Sequence, residues 1–271
     1  MTLAAAGTLR LYGHLVRARV RSQTEYRASF ALDVIGSTLI ASADFVVILI
    51  LFDRLPALGG FTLEEVALIY GLSGVAFGLA DLCVGHLDKL RDLIRDGTFD
   101  ALLVRPVGSL FQAVSSDFAL RKLGKVAQAA AVLAVALVAN DLTWTIDRVL
   151  VIAVAIAAGA VIFASVWVIG CSITFWTVES TEVANAFTYG GNQLTSYPIN
   201  IFGPVLRRLL AFVVPLAFVG YFPALYVLDK PDPLGLPRAL QLASPLVAVA
   251  SAAVASWVWR LAVRHYRSTG S

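Results

Sequence analysis

Apolar residues dominate six windows of the chain, and each window is roughly long enough to cross a bilayer as an α-helix of about 20 residues. The windows lie at about 28–52, 63–85, 118–140, 147–176, 209–228 and 239–262. Polar or turn-forming residues separate them. The pattern predicts an all-α integral membrane protein with six transmembrane helices, in which residues 28–271 form a single membrane domain.

One stretch, residues 178–202, fits this pattern less well. Acidic and amide side chains make it polar, and Pro198 interrupts it. It is either a cytoplasmic loop with a short helix or the first part of a broken fifth span. The basic pair Arg207 and Arg208, which comes directly after it, favours the loop, because basic residues collect on the cytoplasmic side of a membrane.

The longest charge-rich run lies between the second and third windows, at residues 86–108. Leucine and isoleucine recur there at helical spacing with charged residues in between, which predicts a short amphipathic helix. Gly97 stands where a C-cap glycine would end that helix, and Pro106 favours an extended conformation for the residue before it. Such an element either contacts a partner or lies in the lipid headgroup region.

Basic residues predict how the chain is oriented in the membrane. Residues 1–27 carry arginines on one narrow face, opposite apolar side chains, which predicts an amphipathic helix in the membrane interface. Most of the 21 lysines and arginines fall on the same side as this helix and segment 86–108. The other side receives Arg54, Arg148, Lys230 and Arg238. By the positive-inside rule, both termini are cytoplasmic.

Composition limits the chemistry that the chain can perform. Hydrophobic residues make up 59% of the chain and charged residues 14%, whereas soluble domains carry about a quarter charged residues. The sequence contains no GxxxxGK[ST] phosphate loop, no HExxH or paired-cysteine metal motif and no GxSxG elbow. We therefore predict no catalytic residue, no metal site and no cofactor bound by this chain. The net charge of +3 reflects membrane orientation and does not predict nucleic-acid binding.

Three acidic residues fall inside the windows, where a carboxylate is costly enough to suggest a function. Asp33 and Asp81 lie near the cytoplasmic surface, where a lysine, an arginine or water could satisfy them. Asp44 lies deeper and fits either an interhelical hydrogen bond or a place on a substrate path. The aromatic run Pro215–Pro223 predicts a bend in the fifth span, as part of an interfacial belt or of a gate.

Two functional classes compete with an ATP-driven transporter. A secondary transporter or channel could use Asp44 and Asp81 for ions or protons, but the chain has no inverted repeat and no matched pair of broken helices. A membrane enzyme acting on lipid would need a cluster of His, Asp or Glu near one membrane face. The sequence offers only scattered candidates there.

Three passages carry a family resemblance: IRDGTFDALLVRPV at 94–107, FVVPLAFVGYFPA at 212–224 and the terminal 259–271, which ends in YRSTGS. Together they resemble the membrane permease subunits of ABC-type exporters, the six-span type-2 group. The resemblance implies a plasma (inner) membrane subunit of a heteromeric complex. Its partners would be two copies of an ATPase that binds ATP and Mg²⁺, a second permease, identical or homologous, and membrane lipid. Apolar spans would suit an amphipathic or lipophilic substrate.

The resemblance also implies roles for two groups of residues. Segment 86–108 would couple the permease to the ATPase through Leu87, Leu90, Arg91, Ile94, Arg95, Phe99, Leu102 and Arg105. The substrate path would include Asp44, Phe77, Phe212, Phe218, Tyr221 and Phe222. Because only about 229–238 separates spans 5 and 6, an outer gate would have to be built from Pro215–Pro223. Replacing Leu90 and Ile94 with aspartate would uncouple transport and leave the protein inserted.

Overall fold

The computed structural model describes residues 27–104, 106–116, 120–177, 181–232, 235 and 237–266. Its α-helices are α1 (Arg27–Arg54), α2 (Leu63–Val84), α3 (Leu90–Arg95), α4 (Asp100–Leu103), α5 (Ser109–Ser115), α6 (Leu123–Ala139), α7 (Ile146–Ser172), α8 (Thr181–Thr195), α9 (Pro204–Arg208), α10 (Tyr221–Val227) and α11 (Ser244–His265). Short 3₁₀ turns join several of them, and a π-helical turn, Leu209–Val213, continues α9. The amphipathic helix predicted at 1–27 lies outside the described residues except for Arg27, and Arg105 lies outside them too.

The described residues confirm an all-helical fold with several membrane spans. Four helices are long and apolar enough to cross a membrane: Phe30–Arg54, Leu63–Arg95, Ile146–Phe175 and Ser244–His265. Pro204–Val213 and Leu216–Val227 would add a fifth as one span, but they are bent by 72°. Helix α6, with 17 residues, is shorter than the roughly 20 that a span needs. Length and composition thus give fewer spans than the six predicted.

Helix α2 lies at the centre of the bundle, and α6, α7 and α8 pack around it. It begins after Thr62, whose backbone N–H donates to the Glu65 carboxylate at 2.8 Å and so caps the helix. Glycine lets α6 approach closely: a methyl group on Gly71 would lie 2.7 Å from the Cα atom of Leu133. Small residues at such contacts are typical of packed membrane helices.

We expect Gly71→Ala to destabilise the fold by about 1–3 kcal/mol, because the new methyl group would collide with the backbone of α6 and push the helices apart. Gly36→Ala is the matched control, since Gly36 is also helical and has no neighbour within 4 Å of a built methyl group. The control should gain up to about 1 kcal/mol from helix propensity. Thermal unfolding in detergent measures both, and equal midpoints would contradict the close packing.

The two ends of the bundle carry different structures. At one end, which we call the distal end, the loops hold each other through polar contacts. The Lys230 ammonium donates to the Glu65 carboxylate at 2.5 Å, and the Asn200 amide donates to the Gly59 carbonyl at 2.6 Å. The opposite end holds residues 85–104 and 106–116, and we call it the coupling end.

Helix α8 packs with one face against α2 and α7 and leads from the coupling end towards the distal end. Near its start, Ala184 packs against Gly170, close to the coupling end of α7. At its other end, the Thr195 carbonyl accepts a hydrogen bond of 3.0 Å from the Ser73 hydroxyl, halfway along α2. The described part of 178–202 is therefore mostly helix, and it packs against α2 and α7. Its course towards the middle of α2 favours the second predicted alternative, a part of the fifth span, over a cytoplasmic loop.

Residues 204–227 enter the bundle from the distal end and return to the same end. Val214 and Pro215 break the helix, because Val214 is extended with ψ of 91° and proline has no N–H to donate. Just after the break, Val219 packs against the middle of α7. The predicted span at 209–228 is thus not one straight helix. It is the greater part of a bent hairpin, which we call the distal hairpin.

Because of the course of the distal hairpin, Arg207 and Arg208 lie at a different end of the bundle from the one predicted. The Arg207 guanidinium donates to the carbonyls of Asn200 and Phe202 at 3.2 and 3.1 Å, beside the distal loops. The prediction that Arg207 and Arg208 lie on the same side as the coupling segment was therefore wrong. The hairpin begins at the distal end, and this pair lies at its start. Moving these two of the 21 lysines and arginines to the distal end does not reverse the excess of basic residues on the side of the coupling segment.

Candidate transport cavity and coupling segment

A cavity of about 380 Å³ lies between α1, α2, α6 and α8. Its walls combine apolar and polar side chains: Ile40, Ala41, Asp44, Tyr70, Gly74, Phe77, Lys125, Gln128, Ala129, Tyr189, Gly190, Asn192, Gln193 and Ser196. A cavity of this size suits a small organic molecule. Of the six residues predicted on the substrate path, the structure places Asp44 and Phe77 here. The tyrosines, the lysine and the amides of this wall were not among the residues predicted on the path.

Some polar groups of the cavity have hydrogen-bond partners within the chain and others do not. The Tyr70 hydroxyl lies 3.1 Å from the Ala41 carbonyl oxygen and 3.1 Å from Oε1 of Gln128. The Oδ1 atom of Asn192 is buried without a hydrogen-bond partner among the described residues. The Asp44 carboxylate forms no hydrogen bond or ion pair with any described residue. Of these two acceptors, the half-buried Asp44 carboxylate is the one that a ligand in the cavity can reach.

A buried ion pair adjoins the cavity on its coupling side. The Lys122 ammonium lies 2.6 Å and 2.8 Å from the two carboxylate oxygens of Asp81, and the Lys125 ammonium lies 3.3 Å from one of them. Asp81 itself is 0% exposed. Lysine was among the partners predicted for Asp81, and the structure confirms it. Because two lysines already bind this carboxylate, it is poorly suited to carry ions in a secondary transporter.

The ion pair continues into the coupling segment through Tyr189. The Lys122 ammonium lies 3.3 Å from the Tyr189 hydroxyl, which donates to Asp88 at 3.5 Å. The other oxygen of Asp88 accepts a 2.7 Å hydrogen bond from the indole N–H of Trp167. We call Asp81, Asp88, Lys122 and Lys125 the charge cluster. Because Tyr189 and Lys125 also line the cavity, one polar network joins the cavity to the coupling segment.

The apolar face of the coupling segment packs into the chain's own core. Leu87, Leu90 and Phe99 are almost fully buried, and Ile94 and Leu102 are half-buried. Helical periodicity correctly predicted one apolar face, but that face fixes the segment to the bundle. Aspartate at Leu90, which is 1% exposed, would place a charge in the core and damage the fold. The predicted outcome of an inserted but uncoupled protein is therefore not expected for that pair of substitutions.

Phe99 anchors the segment to the ends of α7 and α11. Its ring centroid lies 5.1 Å from that of Phe175, 6.3 Å from that of Trp259 and 5.1 Å from that of Tyr266. The indole N–H of Trp259 also donates to the Ser109 hydroxyl at 3.1 Å. Aromatic pairs at these separations contribute about 0.5–1.5 kcal/mol each beyond the area that they bury.

The tip of the segment faces away from the bundle. Val104 is 84% exposed, and its neighbours Leu103 and Pro106 are exposed as well. We call these three residues the docking ridge. Of the charged residues predicted to contact the ATPase, Arg95 is exposed and Arg91 is half-buried. An exposed apolar ridge on an anchored segment is a surface that a protein partner can cover.

The remaining residues predicted on the substrate path lie elsewhere. Phe212 and Phe218 line an apolar groove of about 580 Å³ between α7, α8, the distal hairpin and α11. Tyr221 and Phe222 are buried in the core of the distal hairpin, where the Tyr221 hydroxyl donates to Asp232 at 3.3 Å. The structure therefore divides the six predicted residues among a polar cavity, an apolar groove and the core.

Comparison with known proteins agrees with this arrangement at the level of the family. No curated protein and no solved structure shows a significant match to the chain. A family model described as ABC-2 family transporter protein matches residues 38–270. The matched range includes the cavity, the charge cluster and the whole coupling segment. Members of this family are multi-pass membrane permeases that associate with an ABC ATPase. The chain therefore belongs to the ABC-2 family of transporter proteins.

Proposed function

We propose that this chain is the permease subunit of an ATP-driven exporter, and that two copies of a separate ATPase, which bind ATP and Mg²⁺, drive it. The coupling segment carries the proposal. Its buried residues Leu87, Leu90 and Phe99 fix it to the bundle, whereas its docking ridge is exposed. A segment that is held on one side and open on the other can pass a partner's movement to the helices as a rigid piece.

The cavity is the proposed binding part of the substrate path, and the distal hairpin is the proposed gate beside it. Leu216, at the tip of the hairpin, packs against Gly191 of α8. The neighbouring residues Gly190 and Asn192 line the cavity. A movement of α8 would therefore reach the hairpin directly, as alternating access between two packings of the helices requires.

The course of the chain supports a six-span topology within one membrane domain, 28–271. Helices α1, α2, α6, α7 and α11 each lead from one end of the bundle to the other, and α8 does so together with the residues that follow it up to Asn200. The distal hairpin does not. With this order of helices, the first and the last described residues, Arg27 and Tyr266, both lie at the coupling end. The excess of lysine and arginine at that end supports cytoplasmic termini in a plasma (inner) membrane.

A second permease, identical or homologous, is the proposed partner of α1. This helix is largely uncovered by its own chain, and large apolar side chains such as Leu32, Leu39 and Ile50 are exposed. Ile40 is also exposed and lines the cavity. A subunit packed on this face would complete the wall of the path, and lipid would cover the rest of the helix.

We expect Val104→Asp to reduce association with the ATPase by about tenfold or more, because a carboxylate at the centre of the docking ridge would lose water on docking without gaining a partner. Folding should be unaffected, because Val104 is 84% exposed. The measurement is co-purification of a soluble P-loop subunit from native membranes, with thermal unfolding of the permease recorded in parallel.

Val205→Asp is the matched control for this experiment. Val205 is also 84% exposed but belongs to the distal hairpin. It should leave the amount of co-purified ATPase unchanged. Equal recovery with Val104→Asp and with the wild type would exclude docking through the ridge. A chain that purifies without any ATPase and transports only along an ion gradient would exclude the exporter.

A further inference from the structure

The carboxylate of Asp44 indicates the class of substrate, an inference that rests on the proposed transport function. Asp44 lies near the middle of α1, lines the cavity and is half-buried. It has no hydrogen-bond or ion-pair partner in the described part of the chain. We infer that the cavity binds an organic cation with an apolar body, and that Asp44 pairs with its cationic group.

The charge balance around the cavity favours a cation over an anion. The charge cluster contains two carboxylates, Asp81 and Asp88, and two ammonium groups, Lys122 and Lys125, so its formal charges cancel. Lys125, the basic group in the cavity wall, is already bound to Asp81 at 3.3 Å. Asp44 is then the uncompensated charge among the described residues of this wall. Such a charge favours an ion of opposite sign in the cavity.

The aromatic rings of the cavity also suit a cation. The Lys125 ammonium lies 5.6 Å from the ring centroid of Phe77 and 5.2 Å from that of Tyr189, which is the distance range of cation–π attraction. Tyr70 adds a third ring to the wall. Ile40, Ala129 and their neighbours supply apolar surface for the rest of the molecule. Because Lys125 already lies against Phe77 and Tyr189, a cation with aromatic groups would pair with Asp44 and pack its rings against Tyr70, Ile40 and Ala129.

The direct test is binding of tetraphenylphosphonium to the full chain in lipid nanodiscs, with protein-free discs as the blank. Its anionic analogue of the same shape, tetraphenylborate, is measured alongside. We expect Asp44→Asn to weaken tetraphenylphosphonium binding by about tenfold or more, as expected for the loss of one partly buried ion pair. Tetraphenylborate should bind Asp44→Asn at least as well as it binds the wild type.

Two variants control for nonspecific effects. Asp33→Asn makes the same charge change on the same helix, at an exposed position that does not line the cavity, and should bind the cation as the wild type does. Asp44→Glu keeps the charge and should retain the preference for the cation. Wild-type affinity in Asp44→Asn, a preference of the wild type for the borate, or no binding above protein-free discs would each overturn the inference.

The failure of this inference can be distinguished from the failure of the exporter proposal. If the ATPase co-purifies and Asp44→Asn binds the cation normally, only the inference about the substrate class is wrong. If the wild type binds the cation through Asp44 but no ATPase associates with the chain, the site stands and the exporter proposal is wrong.

Discussion

Replacing Asp81 with asparagine is expected to lower the stability of the fold by about 3 kcal/mol or more, which corresponds to a fall of roughly 10 °C in the thermal midpoint. The Asp81 carboxylate is 0% exposed and holds two ammonium groups, Lys122 at 2.6 Å and Lys125 at 3.3 Å. Asparagine keeps the volume of the side chain but removes its charge. Both lysines would then lie beside a neutral amide, in a place that little water reaches.

Two further variants separate this effect from a general loss of charge. Asp92→Asn removes a carboxylate from an exposed position of the coupling segment and should change stability by less than about 0.5 kcal/mol. Adding Lys122→Met to Asp81→Asn should recover part of the loss, because one of the two unpaired cations is removed. If Asp81→Asn unfolds at the same temperature as Asp92→Asn, the buried pair does not stabilise the fold.

Hydropathy predicted the helices that are apolar along their length and left one polar helix undecided. Helix α2 spans Leu63–Val84, close to the predicted 63–85, because most of its side chains are apolar and buried in the core. Helix α8 was left undecided because Asn192, Gln193 and other polar side chains face the cavity. A helix that lines a polar cavity scores poorly on a hydropathy scale. The more apolar stretch 209–228 was therefore predicted as the fifth span.

Sequence pattern located the candidate sites only partly, for a similar reason. A carboxylate stands out in an apolar sequence window, so Asp44 and Asp81 could be identified as candidates from the sequence alone. Their surroundings depend on how each helix is rotated against its neighbours. The hydrophobic periodicity of the sequence does not predict that both Lys122 and Lys125 form ion pairs with Asp81. It also does not predict that Asp44 forms no ion pair with either lysine. In the coupling segment, periodicity predicted an apolar face but not whether that face turns inward or towards a partner.

The second large effect is expected for Phe99→Ala, which should loosen the coupling segment and leave its docking ridge in place. Phe99 is 0% exposed and packs against Phe175, Trp259 and Tyr266. Truncating a buried phenylalanine costs about 3–5 kcal/mol, and here the loss falls on the contact between the segment and α7 and α11. Backbone amides of 90–108 should therefore exchange with deuterium about tenfold faster or more.

On the proposed function, Phe99→Ala should keep the ATPase bound and lose ATP-driven transport, whereas Val104→Asp should lose the ATPase itself. Phe61→Ala is the matched control, because Phe61 is only 2% exposed but lies at the distal end, beside Lys230. It should lower overall stability without selectively speeding exchange in 90–108. If Phe99→Ala leaves exchange in 90–108 unchanged, the aromatic contacts do not hold the segment. If exchange rises and transport persists, a rigid segment is not what couples ATP to the helices.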